Sequence, residues 1–210
     1  ASKDLASFSD MLGLRILTCH RRHCFYNTLH LKFGGDLGLG VIPKLIERIN
    51  ESDYLVLLGG RLSENPSQGF SLLGIPEHNK KFVHIHPGPE EIGRIYKPHL
   101  GIACSPISFV NALNNALKGL SIKQSSQNQV LANQAHEEYL EWGNMPLEAP
   151  NSGVDLTTAF RNLRENLDAN TIITNGAGNY AVWGHRLFRF TNFGTQLAPI
   201  SGSMLSLIHI

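Results

Sequence analysis

Apolar positions along the chain fall into two kinds of run. Short runs rich in β-branched and aliphatic residues predict strands over Leu14–Thr18, Tyr54–Leu58, Lys81–His86, Gly101–Cys104 and Thr171–Thr174. Tyr54–Leu58, YLVLL, is apolar throughout, which predicts a buried strand. In Lys81–His86, Val83 and Ile85 alternate with His84 and His86, which predicts one polar face. Longer amphipathic segments predict helices over residues 1–12, Ile42–Asn50, Pro106–Leu117, Val130–Trp142 and Asp155–Leu167. In the first of these, Leu5, Phe8 and Leu12 fall near one face, with Ser2 as cap, Asp4 in the first turn and Gly13 as the stop. In the last, Leu156, Phe160, Leu163 and Leu167 share one side. Pro89 suits the first turn of a short helix.

Strand and helix alternate from residue 1 to about 120, which predicts an α/β class with right-handed crossovers and a parallel sheet. The chain opens on a helix with no strand before it, so the N-terminus is expected to be cut. Ser121–Gln129 is polar and reads as a linker, and Asn144–Gly153, with Pro146, Pro150 and Gly153, as a second break. A second α/β unit is expected to follow.

Composition narrows the class. With 42% hydrophobic and 17% charged residues over 210 positions, the chain is globular. A formal net charge of +1 makes no electrostatic case for nucleic acid or an anionic membrane, and no run is apolar enough to span a bilayer. Three cysteines, an odd number, argue against a disulfide framework and point to a reducing, cytoplasmic setting.

Several segments carry candidate chemistry. Cys19-His20-Arg21-Arg22-His23-Cys24 has ligands that suit zinc, but the C-x4-C spacing matches no common finger and no second pair follows, so a polar loop is expected. Gly34–Gly40, GGDLGLG, reads as a glycine-rich loop before a helix that could cradle phosphate, without the Lys-Ser/Thr of a P-loop. Arg61 follows a glycine pair at the end of a strand, where it can reach a phosphate, pair with a carboxylate or stay solvated. Asn170–Arg186 reads as strand, turn Asn175-Gly176-Ala177-Gly178, then helix, a geometry that offers backbone N–H groups to a phosphate or serves as an ordinary turn.

Together these segments resemble the thiamine diphosphate-dependent enzymes of the acetolactate synthase-like group. GGDLGLG, YLVLLGGRLSE and VHIHPGPEEIGR resemble successive landmarks of that family's central domain, and ITNGAGNYAVWGHR and APISGSM the start of its C-terminal, diphosphate-binding domain. The resemblance implies a Rossmann-like central domain over residues 1–122, lacking its first strand. A linker with a helix over 123–153 and the start of the thiamine-binding domain over 154–204 would follow. It implies a carboligase or decarboxylase, a transferase or lyase acting on 2-oxo acids such as pyruvate. The cofactors of the full-length protein would be thiamine diphosphate and Mg2+, and the assembly a dimer or tetramer. The rival readings are an oxalyl- or benzoylformate-type decarboxylase and a non-catalytic nucleotide-binding module.

By position, the resemblance places Gly178, Asn179 and Tyr180 at the cofactor's diphosphate. It places Gly202, Ser203 and Met204 under its aminopyrimidine ring, Met204 wedging the cofactor into a bent shape. The family's activating glutamate and its GDG magnesium motif do not occur in these residues, so the fragment alone is expected to be inactive. Some members bind FAD through the Arg after the strand and later acidic residues; Arg61 matches, but His86 and Gly88 stand in the acid positions, so no flavin is expected. Leu205–Ile210 departs from the family and resembles a translated sequencing adapter.

Overall fold

A computed structural model of the chain describes residues 2–122, 125–144 and 151–200. Helix α1 (Ser2–Leu12) leads into strand β1 (Ile16–Cys19), and a long connection leads to β2 (Phe33–Leu37). Helix α2 (Pro43–Glu51), strand β3 (Tyr54–Leu58), strand β4 (Lys81–His86), strand β5 (Leu100–Ala103) and helix α3 (Pro106–Leu117) follow. Helices α4 (Ser126–Asn144) and α5 (Leu156–Asn166), strand β6 (Ile173–Thr174), helix α6 (Ala181–Leu187) and strand β7 (Gln196–Leu197) complete the order.

Every strand pairing is parallel, as the α/β reading requires. Among the described residues β1 pairs with β2, β3 with β4 and β4 with β5, and β6 with β7, in three separate sheets. The register places Val56 beside Val83 and Val83 beside Leu100, so one face of the β3–β4–β5 sheet is a row of aliphatic side chains.

That face corrects the expectation of a fully buried β3. Tyr54 is 62% exposed and Val56 48%, whereas Leu57 is buried. The core lies on the opposite face, where Leu57 and Phe82 join Leu62, Leu72, Leu73 and Tyr96 from the neighbouring loops. β4 departs in the other sense. His84 and His86 share the face of Phe82 and are buried with it, so the expected polar face is an interior one. His84 Nε2 lies 3.0 Å from the Gly60 carbonyl, to which it donates, and the Gly88 N–H donates to His86 Nδ1 at 3.0 Å.

The glycine-rich segment is mostly strand, not loop. Gly34 and Gly35 lie within β2, and α4 packs across them. A side chain at Gly34 would meet Leu17 at 3.1 Å and Ala135 at 3.5 Å, and Gly35, at φ +124°, adopts a backbone that only glycine takes without strain. Small residues on both partners let helix and strand approach closely. α4 turns Ala135, His136 and Tyr139 to this contact, and His136 Nδ1 donates to the Phe33 carbonyl at 2.9 Å. Arg48 on α2 grips Glu138 on α4 with two hydrogen bonds of 2.7 Å. The helix begins at Ser126, inside the stretch expected to be linker, and it packs on β2.

Candidate functional site

The glycine turn between β6 and α6 is held from both sides. Asn175 N–H donates to Leu197 O at 3.1 Å, which ties the turn to β7. After it, Ala181 N–H donates to Gly178 O at 3.0 Å and Val182 N–H to Asn179 O at 3.1 Å, which starts the helix. The amides of Gly176, Ala177 and Gly178 have no backbone acceptor among the described residues. The ring of Tyr180 folds back over Gly176 and Gly178, leaving no room for a Cβ at either. Gly178, Asn179 and Tyr180 are therefore brought together in one turn with unpaired donors, which suits an anionic group. Gly202, Ser203 and Met204 lie outside the described residues.

The two strand-end candidates have different fates. Arg61 Nε pairs with Glu91 at 3.0 Å, and Arg94 pairs with the other oxygen of Glu91 at 3.2 Å. Among the roles open to Arg61, the structure shows the carboxylate pair. Burial would raise the Glu91 pKa, but the Arg61 hydrogen bond and the charges of Arg61 and Arg94 lower it overall. A cavity of about 410 Å³ lies elsewhere, between α4, α5 and residues 188–195. Gly178, Asn179 and Tyr180 do not line it.

The Cys19–Cys24 segment, expected as a polar loop, is largely interior. His20, Arg21, His23 and Cys24 are all buried. Among the described residues no three His, Cys, Asp or Glu side chains converge on a metal position. Burial pushes the Cys19 thiol up to about 11, and Cys24 packs with Phe188 and Phe190. His23 Nε2 lies 3.0 Å from Asp36 Oδ2, and its ring stacks on His185 of α6 at 4.6 Å. Sequence reasoning marked these histidines as possible ligands and missed their pairing with Asp36. The signal was available in part: Thr18 and Asp36 are register partners in β1 and β2, so the loop after β1 begins beside Asp36.

Burial pushes the His185 imidazole down to about 3, with the neighbouring His23 charge acting in the same direction. The same segment anchors the C-terminal residues: Arg21 donates to the Pro199 carbonyl, and Thr28 N–H to Phe190 O at 2.9 Å. Gly40 leaves space that Val182 fills, since a Cβ there would lie 2.8 Å from the Val182 side chain. The segments around His23 and Gly40 thus form the seat of α6 and its turn.

Residues 1–113 match the family model of the thiamine pyrophosphate enzyme central domain. The chain belongs to the thiamine pyrophosphate enzyme family. The match covers the elements from α1 through most of α3 and agrees with the parallel α/β architecture. Membership of this family implies thiamine diphosphate as the cofactor. No helix among the described residues is long and apolar enough to cross a membrane.

Proposed function

We propose that this chain is part of a thiamine diphosphate-dependent 2-oxo acid carboligase or decarboxylase of the acetolactate synthase-like group. Residues 1–122 form the central domain, 123–153 a linker with the helix α4 and 154–204 the opening of the diphosphate-binding domain; 205–210 are foreign to it. The observation that carries this reading is the order of parts. A matched central domain is followed by a strand–glycine turn–helix whose amides at Gly176, Ala177 and Gly178 lack backbone acceptors.

In this reading Gly178, Asn179 and Tyr180 receive the diphosphate, and Gly202, Ser203 and Met204 support the pyrimidine from beneath. Bound thiamine diphosphate supplies an electron sink for breaking the bond between a 2-oxo acid's carbonyl and carboxylate carbons. The chain's own residues bind and orient it. In this reading the full-length protein takes Mg2+ together with thiamine diphosphate. The setting is cytoplasmic, in keeping with three free cysteines, and the assembly a dimer or tetramer. Arg61 is engaged by Glu91, and the His86 ring faces the Gly88 amide, which supports a central domain without flavin.

The test uses the complete reading frame that contains this chain, purified with and without thiamine diphosphate and Mg2+. The expected result is pyruvate consumption that needs both. Activity confined to an oxalyl or aryl 2-oxo acid would move the protein to the rival decarboxylase class. Adenine-nucleotide binding by residues 1–122 with no thiamine dependence would overturn the reading.

A further inference from the structure

His23 sits where the family-matched region meets the C-terminal segment, and it is 1% exposed. Its backbone N–H donates to Gln196 Oε1 at 3.1 Å. Of the two amide atoms of Gln196 only the oxygen can accept from a backbone N–H, so this bond sets the orientation of that amide. The same oxygen lies 3.2 Å from His23 Nδ1. Facing an oxygen, Nδ1 must carry a proton. On the other side of the ring, Nε2 lies 3.0 Å from the Asp36 carboxylate, as an ion pair without the alignment of a straight hydrogen bond. A bare lone pair there would face a negative oxygen, so Nε2 carries a proton too. With both nitrogens protonated, the ring is an imidazolium that bridges β2 to β7.

The surroundings agree. Burial alone would lower the His23 pKa, but the Asp36 charge and the Asp36 and Gln196 contacts outweigh it and raise it. The charged and titratable groups around the ring are Asp36 on β2, His185 on α6 and His20 on its own loop, and Arg21 acts on His20 and His185. His20 is lowered by burial and by Arg21, and His185 is held neutral, so they leave the positive charge on His23. Among these groups Asp36 is the one that supplies negative charge, and Gln196 on β7 adds an uncharged acceptor.

We propose that protonated His23 is a positioning residue that clamps α6 and β7 onto the central domain through Asp36 and Gln196, and that its deprotonation loosens the clamp. The clamp stands on contacts independent of the cofactor. Its consequence for catalysis, that it fixes the Gly178–Tyr180 turn, rests on the function proposed above.

The test uses the 210-residue chain without cofactor. Nitrogen-15 spectra of the histidine rings across a pH series report the protonation of each His23 nitrogen. Both are expected to be protonated at neutral pH. Gln196→Glu keeps the acceptor for the backbone N–H and adds a carboxylate at Nδ1. It is expected to move His23 deprotonation upward by about one pH unit or more, tenfold in the proton affinity. Hydrogen exchange, corrected for its intrinsic pH dependence, is expected to rise at least about tenfold in α6 and β7 once His23 deprotonates, with β3–β5 unchanged. The exchange rise should shift with the Gln196→Glu midpoint. A His23 ring with a single proton at neutral pH overturns the proposal. So does exchange in α6 and β7 that ignores the titration, or a Gln196→Glu midpoint that stays or falls. These readouts do not involve thiamine diphosphate, so they stand or fall separately from the enzyme assay on the complete frame.

Discussion

Acid should unfold this chain through His185, and the size of the effect can be worked from its environment. The imidazole is 5% exposed, with both ring nitrogens buried and unpartnered among the described residues, and it stacks on the cationic His23. Its pKa is about 3 in the folded chain, against about 6.5 for an ordinary histidine in the unfolded one. Between those values the unfolded state binds a proton that the folded state refuses. Stability from this residue is complete above about pH 6.5 and is lost as the pH falls towards 3. Each pH unit in that window costs about 1.4 kcal/mol, so moving from pH 6.5 to 4.5 costs about 2–3 kcal/mol. That is a large part of the stability of an ordinary domain. Asp36 keeps its charge across this range, because the charge and contact of the nearby His23 outweigh its burial and lower its pKa. His185→Phe retains a stacked ring over His23 and removes the titration. Urea midpoints followed by the fluorescence of Trp142 and Trp183 should fall between pH 6.5 and 4.5 in both proteins. The wild-type loss should exceed the variant's by about 2–3 kcal/mol. Equal losses in the two proteins would refute the buried, neutral state of His185.

Two further predictions test the packing. Gly143→Ala should destabilise by about 1–3 kcal/mol in thermal or urea melts, because a Cβ would strike the Arg189 guanidinium seated over the Tyr139 ring; a gain of about 1 kcal/mol, the bare helix-propensity effect, would mean that Arg189 is free to leave. A double-mutant cycle on Arg48 and Glu138, bidentate and mostly buried, should give a coupling of about 1–2 kcal/mol. The cycle on Arg61 and Glu91, where the Arg61 side chain is 60% exposed, should give less than about 1 kcal/mol. A reversed order would contradict the burial of these pairs.

The sequence alone determined the type of most elements and their parallel arrangement; β2, read as a loop, and β7, not read as a strand, are the exceptions. β3, β4 and β5 each fall within about a residue of the expected run, and α1, α2, α3 and α5 begin and end close to their signals. These features are local. Side-chain period, proline and glycine placement act within a few residues of chain, so they are written in the order of the residues. The glycine turn at Gly178–Tyr180 was legible for the same reason.

Tertiary structure decided what each element faces. A glycine pair reads as a loop until α4 is seen packed across β2, where glycine serves a close helix approach instead of a phosphate. YLVLL reads as buried on both sides, yet polarity along a strand does not state which face is covered, and Tyr54 and Val56 stay exposed, Tyr54 meeting the Lys81 side chain from the next strand. His84 and His86 look like a polar face, but nearby backbone groups of Gly60 and Gly88 satisfy them inside the core. The His23, Asp36, His185 and Gln196 cluster draws on segments far apart in the chain. Its charge state depends on burial and on partners brought within about 3 Å only by folding, and no spacing along the sequence encodes that.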